Sequence, residues 1–179
     1  MECLQILERS TTLDAEALAC VTYLSSHPHQ WFRIRAAEHL AEFAQPGTEE
    51  MLACGLNDRS HSVVEQAALA LSRINSPRAL EIVTTAYLED DRERPQYLAH
   101  ALAYMGDGGF DVLMQALSSP SPTMRYCAAQ SLGATLREEV VPLLEEMAAN
   151  DHARTKFGGL VSTGARKGLR LIARGRARA

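Results

Sequence analysis

His27-Pro28-His29, followed by His39, is the first place in this chain where side chains capable of chemistry gather. Two imidazoles astride a proline can begin a metal site, but a site needs further donors at ligand spacing. No carboxylate or cysteine stands at such a spacing, which predicts solvated loop histidines. Cys54 and His61 straddle a turn as a nucleophile and its base would, yet no third residue is placed to orient the imidazole, so Cys54 reads as a buried structural thiol. Gly106-Asp107-Gly108-Gly109 precedes a helix as a phosphate loop does. It lacks the preceding strand and the Gly-Lys-Ser ending that cradle phosphates, which predicts a turn. Glu138-Glu139 and Glu145-Glu146 are carboxylates at helical spacing; outside a cleft they mark a solvated face. No catalytic residue is assigned, and neither a metal nor a cofactor is expected.

The elements that position these residues are helices. Hydrophobic residues make up 46% of the 179 positions and aromatics only 6%, with alanine and leucine abundant, which favours closely packed helices over a β-sandwich. Phe32-Arg33-x-x-Ala36-Ala37-x-x-Leu40 recurs as Val63-Val64-x-x-Ala67-Ala68-x-x-Leu71 and as Met124-Arg125-x-x-Ala128-Ala129-x-x-Leu132. A weaker copy, Arg94-Pro95-x-x-Leu98-Ala99-x-x-Leu102, lies between them, so the closing leucines stand 31, 31 and 30 residues apart. A loose copy, Val161-Ser162-x-x-Ala165-Arg166-x-x-Leu169, follows after 37, with an insertion expected near Phe157-Gly158-Gly159. A period near thirty residues signals a repeat architecture. At 100° per residue, pattern positions 1, 5 and 9 share one apolar stripe, and the paired alanines admit a neighbouring helix closely.

Punctuation divides the chain into a short opening helix, Glu2 to Arg9, and five helix pairs, roughly 13–44, 47–74, 76–105, 107–135 and 137–174. N-caps are expected in Ser10-Thr11-Thr12, at Thr48 and at Ser76, with prolines at the first helical position at Pro77 and Pro122. Asp90-Asp91-Arg92 closes the third A helix, and the fourth A helix spans Phe110 to Leu117. Residues 1–175 form one domain, and 176–179 a basic frayed tail. Cys3, Cys20, Cys54 and Cys127 form no C-x-x-C pair, which fits reduced thiols in a cytoplasm. No stretch approaches the roughly 18 uninterrupted apolar residues of a membrane span, and Met1-Glu2-Cys3 does not open a signal sequence.

Each unit therefore reads as a helix ending in Leu-x-Asp or similar, a turn, and Val-Arg-x-x-Ala-Ala-x-x-Leu. This resembles the HEAT repeat, particularly the short bacterial type also found in phycobilisome lyases. Asn57-Asp58 with Val63, Ala67, Ala68 and Leu71, and Met124-Arg125 with Ala128, Ala129, Leu132 and Gly133, carry the resemblance most closely. It implies an all-α, right-handed α-solenoid of about five helix pairs. Val64 and Pro95 replace the arginine that follows the first apolar residue, so any side-chain ladder typical of the family breaks there.

In HEAT-like solenoids the B helices line the concave surface. Pattern positions 3, 4 and 7 point away from the apolar stripe, giving Ile34, Arg35, Glu38; Glu65, Gln66, Leu69; Gln96, Tyr97, His100; and Tyr126, Cys127, Gln130. These twelve are the expected contact surface for a protein partner, centred on Tyr97, His100, Tyr126 and Gln130, since tyrosine offers area and a hydrogen bond at low entropic cost. The expected function is a non-enzymatic scaffold, adaptor or toxin-neutralising module. One alternative, implied by the lyase resemblance, puts a tetrapyrrole against Tyr97, His100, Tyr126 and Cys127. Another is a HEAT-fold DNA glycosylase, which needs a basic groove; the twelve include only Arg35 as a cation. Of 18 Lys and Arg, eight fall in 151–179 against one of 22 acids, leaving 10 and 21 in the body. Arg166, Lys167, Arg170 and Arg174 recur at helical spacing there. They read as a phosphate- or acid-binding patch, or as a polar cap on the last repeat.

Overall fold

The computed structural model describes residues 2–89 and 95–178. Eleven α-helices, and no strand beyond an isolated bridge between Arg154 and Leu160, occur among these residues. The turn expected at Asp90-Asp91-Arg92, and Arg94 of the weak repeat copy, lie outside them. The helices belong to two compact units, Met1–Val83 and Thr84–Ala179.

Unit 1 opens with α1 (Glu2–Arg9), which lays Leu4 and Leu7 on α2 (Ala15–Ser25). Asp14 caps α2 by accepting from the Ala17 amide at 2.8 Å. The expected cap at Ser10-Thr11-Thr12 is thus displaced, because the chain stays non-helical until a carboxylate can reach the third amide of the helix. Next come α3 (Gln30–Phe43), α4 (Thr48–Gly55) and α5 (His61–Ile74). Thr48 is not the cap of α4: its buried hydroxyl donates to the Gln45 carbonyl at 2.7 Å, and Gly47, at φ +94°, takes the cap position in a conformation that favours glycine. α6 (Pro77–Leu88) begins in unit 1, with Ser76 accepting from the Ala79 amide as expected.

Unit 2 continues through the end of α6 to α7 (Pro95–Leu102), α8 (Gly106–Ala116), α9 (Pro122–Leu132), α10 (Val141–Asn150) and α11 (Val161–Arg176). The glycine run is not a turn ahead of Phe110 but the first turn of α8. Gly109 must lack a side chain, because a Cβ there would overlap the Leu102 carbonyl. Before α10 a short 3-10 turn spans Glu138–Val140. The insertion near Phe157 is the loop from Asp151 to Leu160, tied back by the Ser162 amide donating to the Asp151 carbonyl.

Within each unit, B helix packs on B helix: α3 on α5 in unit 1, α7 on α9 and α9 on α11 in unit 2. Burial follows the repeat pattern. Ala36, Leu40, Ala67, Leu71, Leu98, Leu102, Ala128 and Leu132 are each at most 2% exposed. Unit 2 closes α9 on α11 through glycines. A Cβ on Gly168 would overlap the Ala129 carbonyl, and one on Gly164 would meet the Tyr126 backbone and ring.

Candidate functional site

Because a B helix has a B helix beside it and an A helix behind it, only a narrow column of its side chains faces outward. Pattern positions 3 and 7 belong to that column, while position 4 stands on its flank against the neighbouring B helix, half-buried at Arg35, Gln66 and Tyr97 and buried at Cys127. Cys127, at position 4, is 2% exposed, and burial pushes its thiol up to about 12. The expectation that Cys127 contacts a partner or a tetrapyrrole is therefore overturned. One further turn along the chain, position 11 rejoins the column, for α7 in the turn that follows the helix. In unit 2 that residue is Tyr104, 54% exposed and packed edge-on against His100 at 5.0 Å between ring centroids. Adding four to His100 would have found it in the sequence; the nine-residue pattern ended too soon.

Gln96, Tyr97, Tyr126 and Gln130 are half-buried on this face and His100 is exposed. Lys167 takes position 7 of α11, so the column continues into the last helix. Its ammonium donates to the Tyr126 hydroxyl at 2.7 Å. At 5.4 Å from the ring centroid, it sits off the hydroxyl end of the ring, so the contact is a hydrogen bond rather than a cation over a π face.

The corresponding face of unit 1 has different chemistry. Arg35 pairs with Glu38 and, at 3.9 Å, with Glu8, while Ile34, Gln66 and Leu69 are half-buried and Glu65 is exposed. Unit 1's exposed aromatics lie elsewhere, at the turn from α2 to α3. There Tyr23 (59% exposed) and Trp31 (48% exposed) flank His27, His29 and Phe32 in a chain of ring contacts. The two loop histidines have backbone work: Nδ1 of His27 accepts from the His29 amide and Nδ1 of His29 from the Trp31 amide, making His29 the cap of α3. His39 is buried away from the turn, 3.0 Å from Glu42.

The sequence-predicted basic patch resolves into separate roles. Arg166 donates to the Ala148 carbonyl at 3.0 Å, and Lys167 belongs with Tyr126, while Arg170 and Arg174 are exposed on α11. Arg176 is in the helix, not in a frayed tail, and pairs with Glu138. That pairing, with Glu139 near Arg137, accounts for the first carboxylate pair.

Two anchors, one with a buried arginine and one half-buried, hold consecutive repeats together. Arg33 donates to both Asp58 oxygens, at 2.7 and 2.9 Å, and to the carbonyls of His27 and Pro28. Arg125 donates to both Asp151 oxygens, at 2.8 and 3.3 Å, and to the carbonyls of Ser119 and Pro120. Burial would raise Asp58, but the Arg33 guanidinium and the Ser60 amide outweigh it and leave the carboxyl below its ordinary value. At Asp151 the hydrogen bond from Arg125 leads, again lowering it.

Helix pairs stacked so that B packs on B and consecutive repeats are pinned by Arg–Asp pairs define an α-solenoid. The model for HEAT repeats matches residues 19–103 and 90–156. This chain belongs to that family, whose repeats are generally protein-interaction modules. Deoxyhypusine hydroxylase of Drosophila melanogaster is 30% identical over 96 residues, 51% of this chain and 32% of that protein, so the match spans about a third of that relative's length. The crystal structure of an engineered protein aligns with 97% of this chain and 88% of its own at a TM-score of 0.44 and 20% identity. No helix among the described residues is long and apolar enough to cross a membrane.

Proposed function

We propose that this chain is a non-enzymatic interaction module, a scaffold or sequestering protein, that holds a segment of a protein partner on the outward B-helix column of unit 2. The observation that carries this reading is the gathering of Tyr97, His100, Tyr104, Tyr126 and Gln130 on one face, edged by Lys167. Aromatic side chains with a polar end supply contact area and directional bonds while losing little rotamer freedom, which is why they dominate binding hot spots. The test uses His100→Ala and Tyr104→Ala, both at exposed positions where folding is spared. Native lysate is passed over the immobilised wild-type and double-variant chains. Loss of specific captured proteins with the variant supports the reading; an unchanged set refutes it.

A second reading, hydroxylation of deoxyhypusine, draws on the 96-residue match. Incubation with a deoxyhypusine-bearing protein, dioxygen and a reductant, so that one oxygen atom can enter the C–H bond and the other leave as water, followed by mass analysis for the added oxygen, tests it, and an unmodified product removes it.

A further inference from the structure

We infer that unit 2 carries a second docking surface, a cleft at the ends of its A helices that takes a basic amphipathic helix from a protein partner. The cleft has a volume of about 720 Å³ and lies between the end of α8 and the length of α10. Its apolar walls are Met114, Leu117, Leu143 and Met147, none of them buried. Flexible thioethers on two walls let such a surface repack around different apolar anchors. Along α10, Leu143, Met147 and Asn150 recur at i, i+4 and i+7. They share one face of α10, so the cleft runs along about two turns of that helix, roughly 10 Å, a length against which another helix can lie.

Charge selects the sign of the occupant. The guanidinium of Arg125 at the base is already taken up by Asp151 and two carbonyls. α8 and α10 both present their C-terminal ends here, where the helix dipole adds partial negative charge although the Met114, Gln115, Ala116 and Met147 carbonyls each accept a backbone amide. Glu146 lines the cleft, is exposed, and forms no ion pair among the described residues. The uncompensated charge is negative, so the apolar anchors should be flanked by Lys or Arg. At the equivalent Arg33–Asp58 anchor, unit 1 has a cavity of only about 100 Å³, with Cys54 on its wall where unit 2 has Met147.

The test is fluorescence anisotropy with a labelled helical peptide of leucine and lysine, and a counterpart with glutamate in place of lysine, titrated into the full chain. The lysine peptide should bind saturably and the glutamate peptide about tenfold more weakly or worse. Leu143→Asp should weaken the lysine peptide by about tenfold, and Glu146→Lys by a similar factor. Glu145→Lys, on the same helix but off the cleft, should stay within about twofold. Absence of saturable binding overturns the proposal. So does equal weakening by Glu145→Lys and Glu146→Lys, which would mean diffuse attraction to an acidic chain. Loss of binding with Tyr104→Ala would put the peptide on the B-helix face and overturn it as well, without touching the reading of that face.

Discussion

Arg33 in unit 1 and Arg125 in unit 2 satisfy their guanidinium groups identically: two oxygens of an aspartate from the next repeat and two successive carbonyls ending in a proline. In both, the aspartate also accepts from the amide two residues on, Ser60 or Ala153. Beyond the anchor the two units part ways. After Asp58 the chain enters α5 at His61; after Asp151 it runs through a loop to Val161. The anchor is therefore indifferent to the connection behind it, and it does not set the width of the cleft beside it, about 100 Å³ in one unit and 720 Å³ in the other. It fixes the register of neighbouring repeats and leaves the surfaces free to diverge.

The largest effect should come from removing one partner of each anchor. Arg33 and Asp58 are the more deeply buried pair, with side chains 7% and 14% exposed against 17% and 21% for Arg125 and Asp151. Arg33→Ala should therefore cost about 3–5 kcal/mol. Arg125→Ala should cost less, about 2–3 kcal/mol. Denaturant unfolding checks both, followed by circular dichroism and by the fluorescence of Trp31, the chain's one tryptophan. Replacing the pair together, Arg33→Met with Asp58→Leu, should recover most of the loss, since the deficit in the single variant is the stranded carboxylate.

Next in size is overpacking. Ala68→Leu in unit 1 and Ala129→Leu in unit 2 should each cost roughly 1–3 kcal/mol, read as lower melting temperatures. Unchanged melting in both would contradict the B-helix register. Acid should weaken both anchors. Asp58 and Asp151 titrate below the ordinary 3.8 in the folded chain, so their stabilisation is complete above that value and is lost as pH falls through the lower folded values. Thermal midpoints measured from about pH 5 down to pH 2 should fall, and less steeply in Arg125→Ala than in wild type. The smallest effect is a reactivity: Cys54, expected from the sequence to be buried, lies exposed near the end of α4 and should react with a thiol reagent in the native protein, while buried Cys127 reacts only on unfolding.

The fold was legible because its signal is periodic. Positions 1, 5, 6 and 9 of the first four copies are interior wherever they are Ala, Leu or Val, while Leu169 of the loose last copy is half-buried, and burial at those positions is a matter of helical pitch. Local capping was less legible: Thr12, Thr48 and Asp14 are all competent caps, and the choice depends on where the backbone first turns helical. The outward face was half legible. Tyr97, His100, Tyr126 and Gln130, picked by angle from the stripe, are at least partly exposed. Cys127 failed because an angle on an isolated helix takes no account of the flank covered by the next B helix. The glycine packing of α9 on α11 and the cleft along α10 depend on distances between helices, which no single-helix pattern encodes.

The measurement that bears most directly on the proposed interaction surface is photo-crosslinking from matched positions in the two units. A benzophenone side chain is placed at position 104 in unit 2 or at position 73, the same column of unit 1, and each protein is irradiated in native lysate. Adducts to a discrete protein from position 104, with none of that protein from position 73, are the predicted result. The same adducts from both positions, or none from 104, would contradict it.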